Sequence, residues 1–227
     1  MSLQKKLIIS LASISVVTML SCSPKINTIV NQEPDNGTEK EDVVKITTVD
    51  NTTVRCGVER WAVKTGTDPD ASKINLKSII PTTVEALNNL SSPDPSTIKN
   101  FPRVSPTETT VFTIDATLTQ FKGEGDSDYH LVLKDNKGNT MIGEIPSPDC
   151  VGFDSPFIRD ITSARKAFAS KYNVLPALAA DGTVNPFQDA NVPVRITGVG
   201  FFDFPHGQNG LAKNAIELHP VLSIIFK

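Results

Sequence analysis

Three residues near the middle of the sequence, Asp126, Asp128 and His130, occupy every second position, and Glu144 stands in the next β-prone run. Alternate residues of an extended chain share a face, so Asp128 and His130 project together, with Val132 and Lys134. Imidazole beside carboxylates suits Mn, Zn or Fe, which makes Asp126, Asp128 and His130 tentative ligands for a divalent metal cation. The same carboxylates could instead fix the tautomer of His130 for proton transfer, with His130, Asp128 and Glu144 as the catalytic candidates. The spacing D-x-D-x-H is not a strong motif. The plainer alternative is a set of acids solvating an exposed turn, with His130 packed on a strand.

A second group lies toward the C-terminus. Glu217 and His219 alternate with Ile216 and Leu218, so they share the polar face of a strand. A Glu–His hydrogen bond that fixes the strand end accounts for them equally well. His206 stands in the loop Pro205-His206-Gly207-Gln208-Asn209-Gly210, where it is expected to be the most exposed of the three histidines. Near the other end, Arg60 and Lys64 flank Trp61. They could offer cations to a phosphate with Trp61 as a stacking surface, or Trp61 is core and the charges form a wetted edge. Arg60, Lys64, His206, Glu217 and His219 are therefore the binding candidates.

The elements that must position these groups can be read from periodicity. Val54–Thr65 is β-prone. Thr82-Thr83-Val84-Glu85 reads as a capping box before a short helix with Val84, Leu87 and Leu90 on one side. Alternation predicts strands over 111–121, 129–134 and 140–145, with the turn Asp135-Asn136-Lys137-Gly138-Asn139 between the last two. Ser155-Pro156 opens a helix whose inner face is Phe157, Ile161, Ala164 and Phe168. Two more strands are expected over 192–204 and 215–226. In the first of these, Gly198 and Gly200 mark a bulge or bend rather than a phosphate loop. Three strands, a helix and two strands is the order of an OB-fold, a five-stranded Greek-key barrel with its helix between strands three and four. The expected class is mainly β (α+β), an OB-like barrel with an N-terminal β/helix extension. Another α+β arrangement of the same elements remains open.

The three cysteines divide into one and two. Lys5 and Lys6 precede the uncharged run Leu7–Leu20, which is too short to span a bilayer core of about 30 Å comfortably, and Ser21-Cys22 follows. This resembles a lipoprotein signal peptide over 1–21 with Cys22 as the lipidated residue, palmitate being one of the acyl chains. An ordinary secretory signal cut slightly later is the alternative. Residues 22–50 are polar and read as the anchor cysteine and a flexible linker; residues 51–227 read as one globular domain. In an oxidising compartment Cys56 and Cys150 are expected to form a disulfide.

The chain carries 22 basic and 25 acidic residues. Two basic residues in the leader, with three basic and six acidic in 23–50, leave 17 against 19 in the body. Such a balance supplies no broad basic field to collect nucleic acid.

The segments CGVERWAVKTGTD (56–68), DSDYHLVL (126–133), TMIGEIPSPDC (140–150) and GVGFFDFPHGQNGLAKNAIELHPVL (198–222) resemble a recurring family of uncharacterised exported bacterial proteins. The resemblance covers most of the body and implies shared architecture, not a reaction. Staphylococcal-nuclease-type enzymes also combine an OB barrel with acidic metal ligands and arginines. Their Asp-Gly-Asp-Thr signature is missing here, so none of their residues is carried over. Three functions are expected in this order. The first is a membrane-anchored envelope lipoprotein whose OB-like face binds an oligosaccharide, nucleic acid or protein partner. The second is a divalent-metal-dependent phosphodiesterase or nuclease, and the third a purely structural envelope domain.

Overall fold

Alternating apolar residues make most of this chain strand, and the strands are joined by turns rich in Pro, Gly, Asp and Asn. The computed structural model describes residues 29–31, 44–49, 52–94, 97–98, 102–179 and 182–227. The leader and Cys22 lie outside the described residues. The elements follow in the order β1 (Ile29–Asn31), β2 (Val44–Val49), β3 (Thr52–Gly57), α1 (Trp61–Thr65), β4 (Ile79–Thr82), α2 (Val84–Asn88), β5 (Val111–Gly123), β6 (Tyr129–Lys134), β7 (Thr140–Ile145), α3 (Ile158–Ala169), β8 (Gln188–Phe202) and β9 (Ile216–Phe226). Among the described residues no helix is long and apolar enough to cross a membrane.

The fold is α+β and mainly one six-stranded sheet in the order β4-β5-β6-β7-β9-β8, in which β8 also pairs with β5. The β4–β5 and β7–β9 pairs are parallel, and the other pairs of this sheet are antiparallel. A bulge between Leu118 and Gln120 lets β5 serve both β6 and β8 along its length, because an extra residue bends the strand. Register shifts at Gly198 and Gly200 in β8 bear out the reading of those glycines as a bend. A Cβ at Gly198 would stand 2.8 Å from the Pro220 carbonyl oxygen, so only glycine allows β8 and β9 to approach so closely.

The predicted alternation holds. Leu131, Leu133, Met141, Ile145, Ile216 and Leu218 point into one buried apolar cluster. The helix lies where Phe157, Ile161, Ala164 and Phe168 required it, and all four are buried. Phe168 closes edge-on against Phe121, with ring centroids 5.2 Å apart. Ser155 accepts the Phe157 amide at its entry.

Three details differ from expectation. Strand β3 stops at Gly57. Arg60 then adopts a left-handed φ of 48°, and Trp61–Thr65 wind into helix α1, closed by Gly66 at φ 73°. Alternation over so few residues does not separate a strand from one turn of helix. At α2 the cap is Thr83, whose hydroxyl accepts the Ala86 amide, while Glu85 pairs with Lys137. Within 23–50, read as linker from its mean polarity, β1 and β2 form a three-stranded antiparallel sheet with β3. The β-branched run Val44-Lys45-Ile46-Thr47-Thr48-Val49 suits a strand, and an average over the whole stretch hides it.

The disulfide is present: Cys56 of β3 is bonded to Cys150, with Cα atoms 5.5 Å apart. It ties the N-terminal sheet to the 3₁₀ turn Pro148–Cys150 that follows β7. Trp61 supports this junction by donating its indole N–H to the Cys150 carbonyl at 3.1 Å.

Candidate functional site

Strand register sets Lys122, His130 and Glu144 side by side across β5, β6 and β7. The His130 Nδ1 faces Glu144 Oε1 at 3.0 Å and Glu124 Oε1 at 3.1 Å. Its Nε2 lies 2.8 Å from the Asn209 carbonyl oxygen. Every neighbour of the ring nitrogens is an acceptor, so both nitrogens carry protons and His130 is an imidazolium. Burial works against that charge, but Glu144 and Glu124 outweigh it and hold the histidine well above its usual range. One cation shared between two acids leaves them unequal. Burial resists ionisation of Glu124, yet His130 and Lys122 keep its carboxyl low, whereas burial pushes Glu144 up in spite of His130.

Beside this group sit Asp128, Glu217 and His219, all buried. Asp128 Oδ1 accepts the Ser147 amide at 3.2 Å, and its Oδ2 is 3.4 Å from His219 Nε2. Glu217 Oε2 lies 3.7 Å from His219 Nδ1. Burial raises Asp128, helped by the negative fields of Asp126 and Glu144, and raises Glu217, helped by Asp203 and Glu144. Burial, with the Lys64 ammonium nearby, holds His219 well below its usual range. His219 therefore stands between two carboxyls, and burial disfavours the charged form of all three groups. Among the described residues Asp128 Oδ2, Glu144 Oε2 and both ring nitrogens of His219 have no hydrogen-bond partner.

Helix α1 and the Arg60 that precedes it supply the opposing charge. Arg60 and Lys64, four residues apart, lie over the face of Phe201, with Arg60 Cζ at 4.7 Å and Lys64 Nζ at 5.5 Å from its centroid. Lys64 is 3% exposed, and its field draws down Asp128, Glu144, Asp203 and Glu217. Burial opposes ionisation of Asp203, but Lys64 and His206 overcome it and bring the carboxyl to about 2. Arg60 holds Glu108 with both arms, at 2.9 and 2.6 Å, and donates to the carbonyls of Phe202 and Pro102.

The sequence candidates are thus brought together and almost all enclosed. Asp128, His130, Glu144, Glu217, His219 and Lys64 form one buried cluster, so the expected solvated acids and wetted cationic edge are corrected. Loop Asp203–Asn214 and α1 cover what the strand pattern leaves facing outward. Arg60 and Lys64 are spent on the chain's own groups and do not present a phosphate site, and Trp61 is part-buried at the disulfide. Asp126 accepts the Asp128 amide at 3.0 Å. Among the described residues no three His, Cys, Asp or Glu side chains are arranged to hold a metal ion, so Asp126, Asp128 and His130 are not assembled as ligands. His130 has no lone pair to offer in its protonated form. His206 is, as expected, the most exposed histidine; it stacks on Phe204 at 4.8 Å and faces Asp203 at 3.7 Å.

Sequence reasoning missed Glu108, Arg103, Asp68 and Asp203. Glu108 also accepts the amides of Val104 and Phe202, and Arg103 is bidentate to Asp68. Arg103 and Asp68 lie 35 residues apart, and Glu108 meets Arg60 and Phe202 across 48 and 94 residues; no local pattern announces such pairs.

An open cavity of about 430 Å³ lies elsewhere, between α2, the 134–137 turn and the chain end. Its lining carries three lysines, Lys134, Lys137 and Lys227, and three acids, Glu85, Asp115 and Asp135.

Compared with known proteins, the chain matches no family model and no curated relative.

Proposed function

We propose that this chain is a membrane-anchored lipoprotein of the bacterial cell envelope whose domain, an OB-like five-stranded Greek-key barrel, binds a ligand without catalysing a reaction. The barrel reading rests on the pairing order β5-β6-β7-β9-β8 with β8 returning to β5, and on α3 falling between the third and fourth of these strands. The anchor reading rests on the leader and Ser21-Cys22, and the resemblance to exported bacterial proteins agrees with it.

The observation that carries binding over catalysis is burial. Every acid–base candidate on the β6, β7 and β9 face lies at 9% exposure or less, with Lys64 and the Asn209 carbonyl set against it. The open cavity is the better ligand site, and its balanced charge favours an uncharged polar ligand such as an oligosaccharide over a polyanion.

Titration of the isotope-labelled protein with oligosaccharide fragments, followed by amide shifts, tests this. Saturable shifts at Thr117, Lys134 and Lys137 are expected; shifts confined to other surfaces, or none, overturn the site. Metal-dependent phosphodiesterase activity is the competing reading. Chelator-sensitive cleavage of labelled DNA or RNA, lost in His130→Ala, would establish it. The anchor is checked by mass spectrometry, which should find acylated Cys22 at the mature N-terminus.

A further inference from the structure

Loop Asp203–Asn214 crosses the outer side of β6 and is fastened at several points. Gly210 sits so close to Val132 that a Cβ on it would stand 2.8 Å from Val132 Cγ1. Thr140 donates its hydroxyl to the Leu211 carbonyl at 3.3 Å, and Asn214 donates its amide to the carbonyls of Leu87 and Leu90, each at 2.9 Å. A further fastening is the His130 Nε2–H on the Asn209 carbonyl, at 2.8 Å. That carbonyl belongs to the Asn209–Gly210 peptide group, and the Asn–Gly sequence gives this contact a chemical meaning.

We propose that Asn209–Gly210 is a self-modification site at which His130 promotes conversion of Asn209 to isoaspartate and aspartate. The nucleophile is the backbone nitrogen of Gly210, which must lose its proton before it attacks Cγ of Asn209. The resulting negative charge spreads onto the oxygen of the same peptide group, the Asn209 carbonyl oxygen. His130 already donates to that oxygen, and with Nδ1 set between Glu144 and Glu124 it donates as a cation. A charged donor fixed in place where charge develops lowers the barrier to forming it. Gly210, at φ +88°, has no side chain to block the attack.

The step balances without an added oxidant or reductant. The bond from Gly210 N to Asn209 Cγ forms, and the Cγ–Nδ2 bond breaks. Nδ2 departs as ammonia, taking up through solvent the proton that Gly210 lost. Water then opens the five-membered succinimide at either carbonyl, giving aspartate or isoaspartate. Asn209 Nδ2 now donates to Gln120 Oε1 at 3.0 Å, and Gln120 in turn donates to Asp189 at 2.9 Å. Modification replaces that donor with a carboxylate, and isoaspartate also adds one methylene to the main chain. The loop then loses its register on His130, and the buried cluster loses part of its cover.

The chain contains a second Asn–Gly pair, Asn36–Gly37, outside the described residues, which serves as an internal clock. The full-length protein is aged folded, and in parallel unfolded in urea with its disulfide reduced. Peptide mapping then measures the one-dalton gain and the isoaspartate content at both sites. The ratio of conversion at Asn209 to that at Asn36 is expected to be roughly tenfold higher in the folded sample, the scale of one charged hydrogen bond. An equal or lower ratio overturns the proposal. His130→Gln, which keeps the volume but not the charge, should lower the ratio toward the unfolded value. A folded His130→Gln protein that modifies Asn209 at the full rate also overturns it. Gln120→Ala leaves the His130 contact in place and should retain the fast reaction; its loss would assign the effect to Gln120 instead.

Discussion

Arg60 and Glu108 face each other through two hydrogen bonds of 2.9 and 2.6 Å, with both side chains out of water. The pair links α1 to the 3₁₀ turn before β5. Through Phe202, which gives its amide to Glu108 and its carbonyl to Arg60, it also links both to the end of β8. Four residues on, Lys64 reaches the carboxylates of the β6, β7 and β9 face. One short helix and its N-cap residue thereby set positive charge against two separate groups of buried acid.

Breaking that pair from one side should be costly. Arg60→Met leaves Glu108 buried with its two backbone donors but without its countercharge, and a loss of about 3–5 kcal/mol is expected. Urea unfolding at neutral pH measures it. Arg60→Met combined with Glu108→Gln should recover part of the loss, because no unpaired charge then remains inside.

Reduction of Cys56–Cys150 frees the N-terminal sheet from the turn after β7. The sequence separation of 94 residues corresponds to about 4.7 kcal/mol in the chain-entropy model. The double variant Cys56→Ser, Cys150→Ser is expected to unfold at lower urea, and reductant should then have no further effect on its midpoint. An unchanged midpoint would show that β3 and its junction hold without the bond.

Strands β5 to β9 and helix α3 were legible because each has a long repeat of apolar residues, as in Phe157, Ile161, Ala164 and Phe168. Helix α1 was not, since Trp61–Thr65 is shorter than the window in which a helix differs from a strand. Asp128, His130, Glu144, Glu217 and His219 could be placed on one face by parity alone. Their burial could not, because it depends on Lys64 and Asn209 arriving from distant parts of the chain. Glu108 and Arg103 sit in a proline-rich connection without periodicity, so only the folded structure reveals their partners.

Gly66 ends α1 in the left-handed region, and a Cβ there would run into the ring of Phe157, a residue of the buried core beneath α3. Gly66→Ala meets both backbone strain and a clash with an immobile aromatic ring. A loss of about 2–3 kcal/mol is expected, read as a lower thermal midpoint. Gly138→Ala is the control for backbone strain alone, since its φ of +91° is also left-handed but nothing lies within 4 Å of the new methyl group. It should cost about 1 kcal/mol.

Glu217 should make the protein less stable as the solution becomes more alkaline. Its burial, with Asp203 and Glu144 nearby, raises its folded pKa well above that of an unfolded glutamate. Between those two values the folded chain keeps a proton that the unfolded chain has released. The contribution is therefore fully present below the unfolded value and is lost as pH rises toward the folded one. The slope approaches about 1.4 kcal/mol per pH unit for a single group. Glu217→Gln keeps the shape of the protonated acid and removes the titration. Its stability should match wild type near pH 4 and exceed it progressively from pH 5 upward, as measured by urea unfolding across that range. Asp203, held low, acts in the opposite direction and in a separate window. Its contribution is present above the unfolded aspartate value and is lost only as pH falls toward about 2. Asp203→Asn should therefore be destabilising at neutral pH, with the difference from wild type shrinking on acidification. If Glu217→Gln tracked wild type in parallel from pH 4 to pH 8, the buried acid would have to be ionised in the folded state, and Lys64 rather than a proton would be its partner.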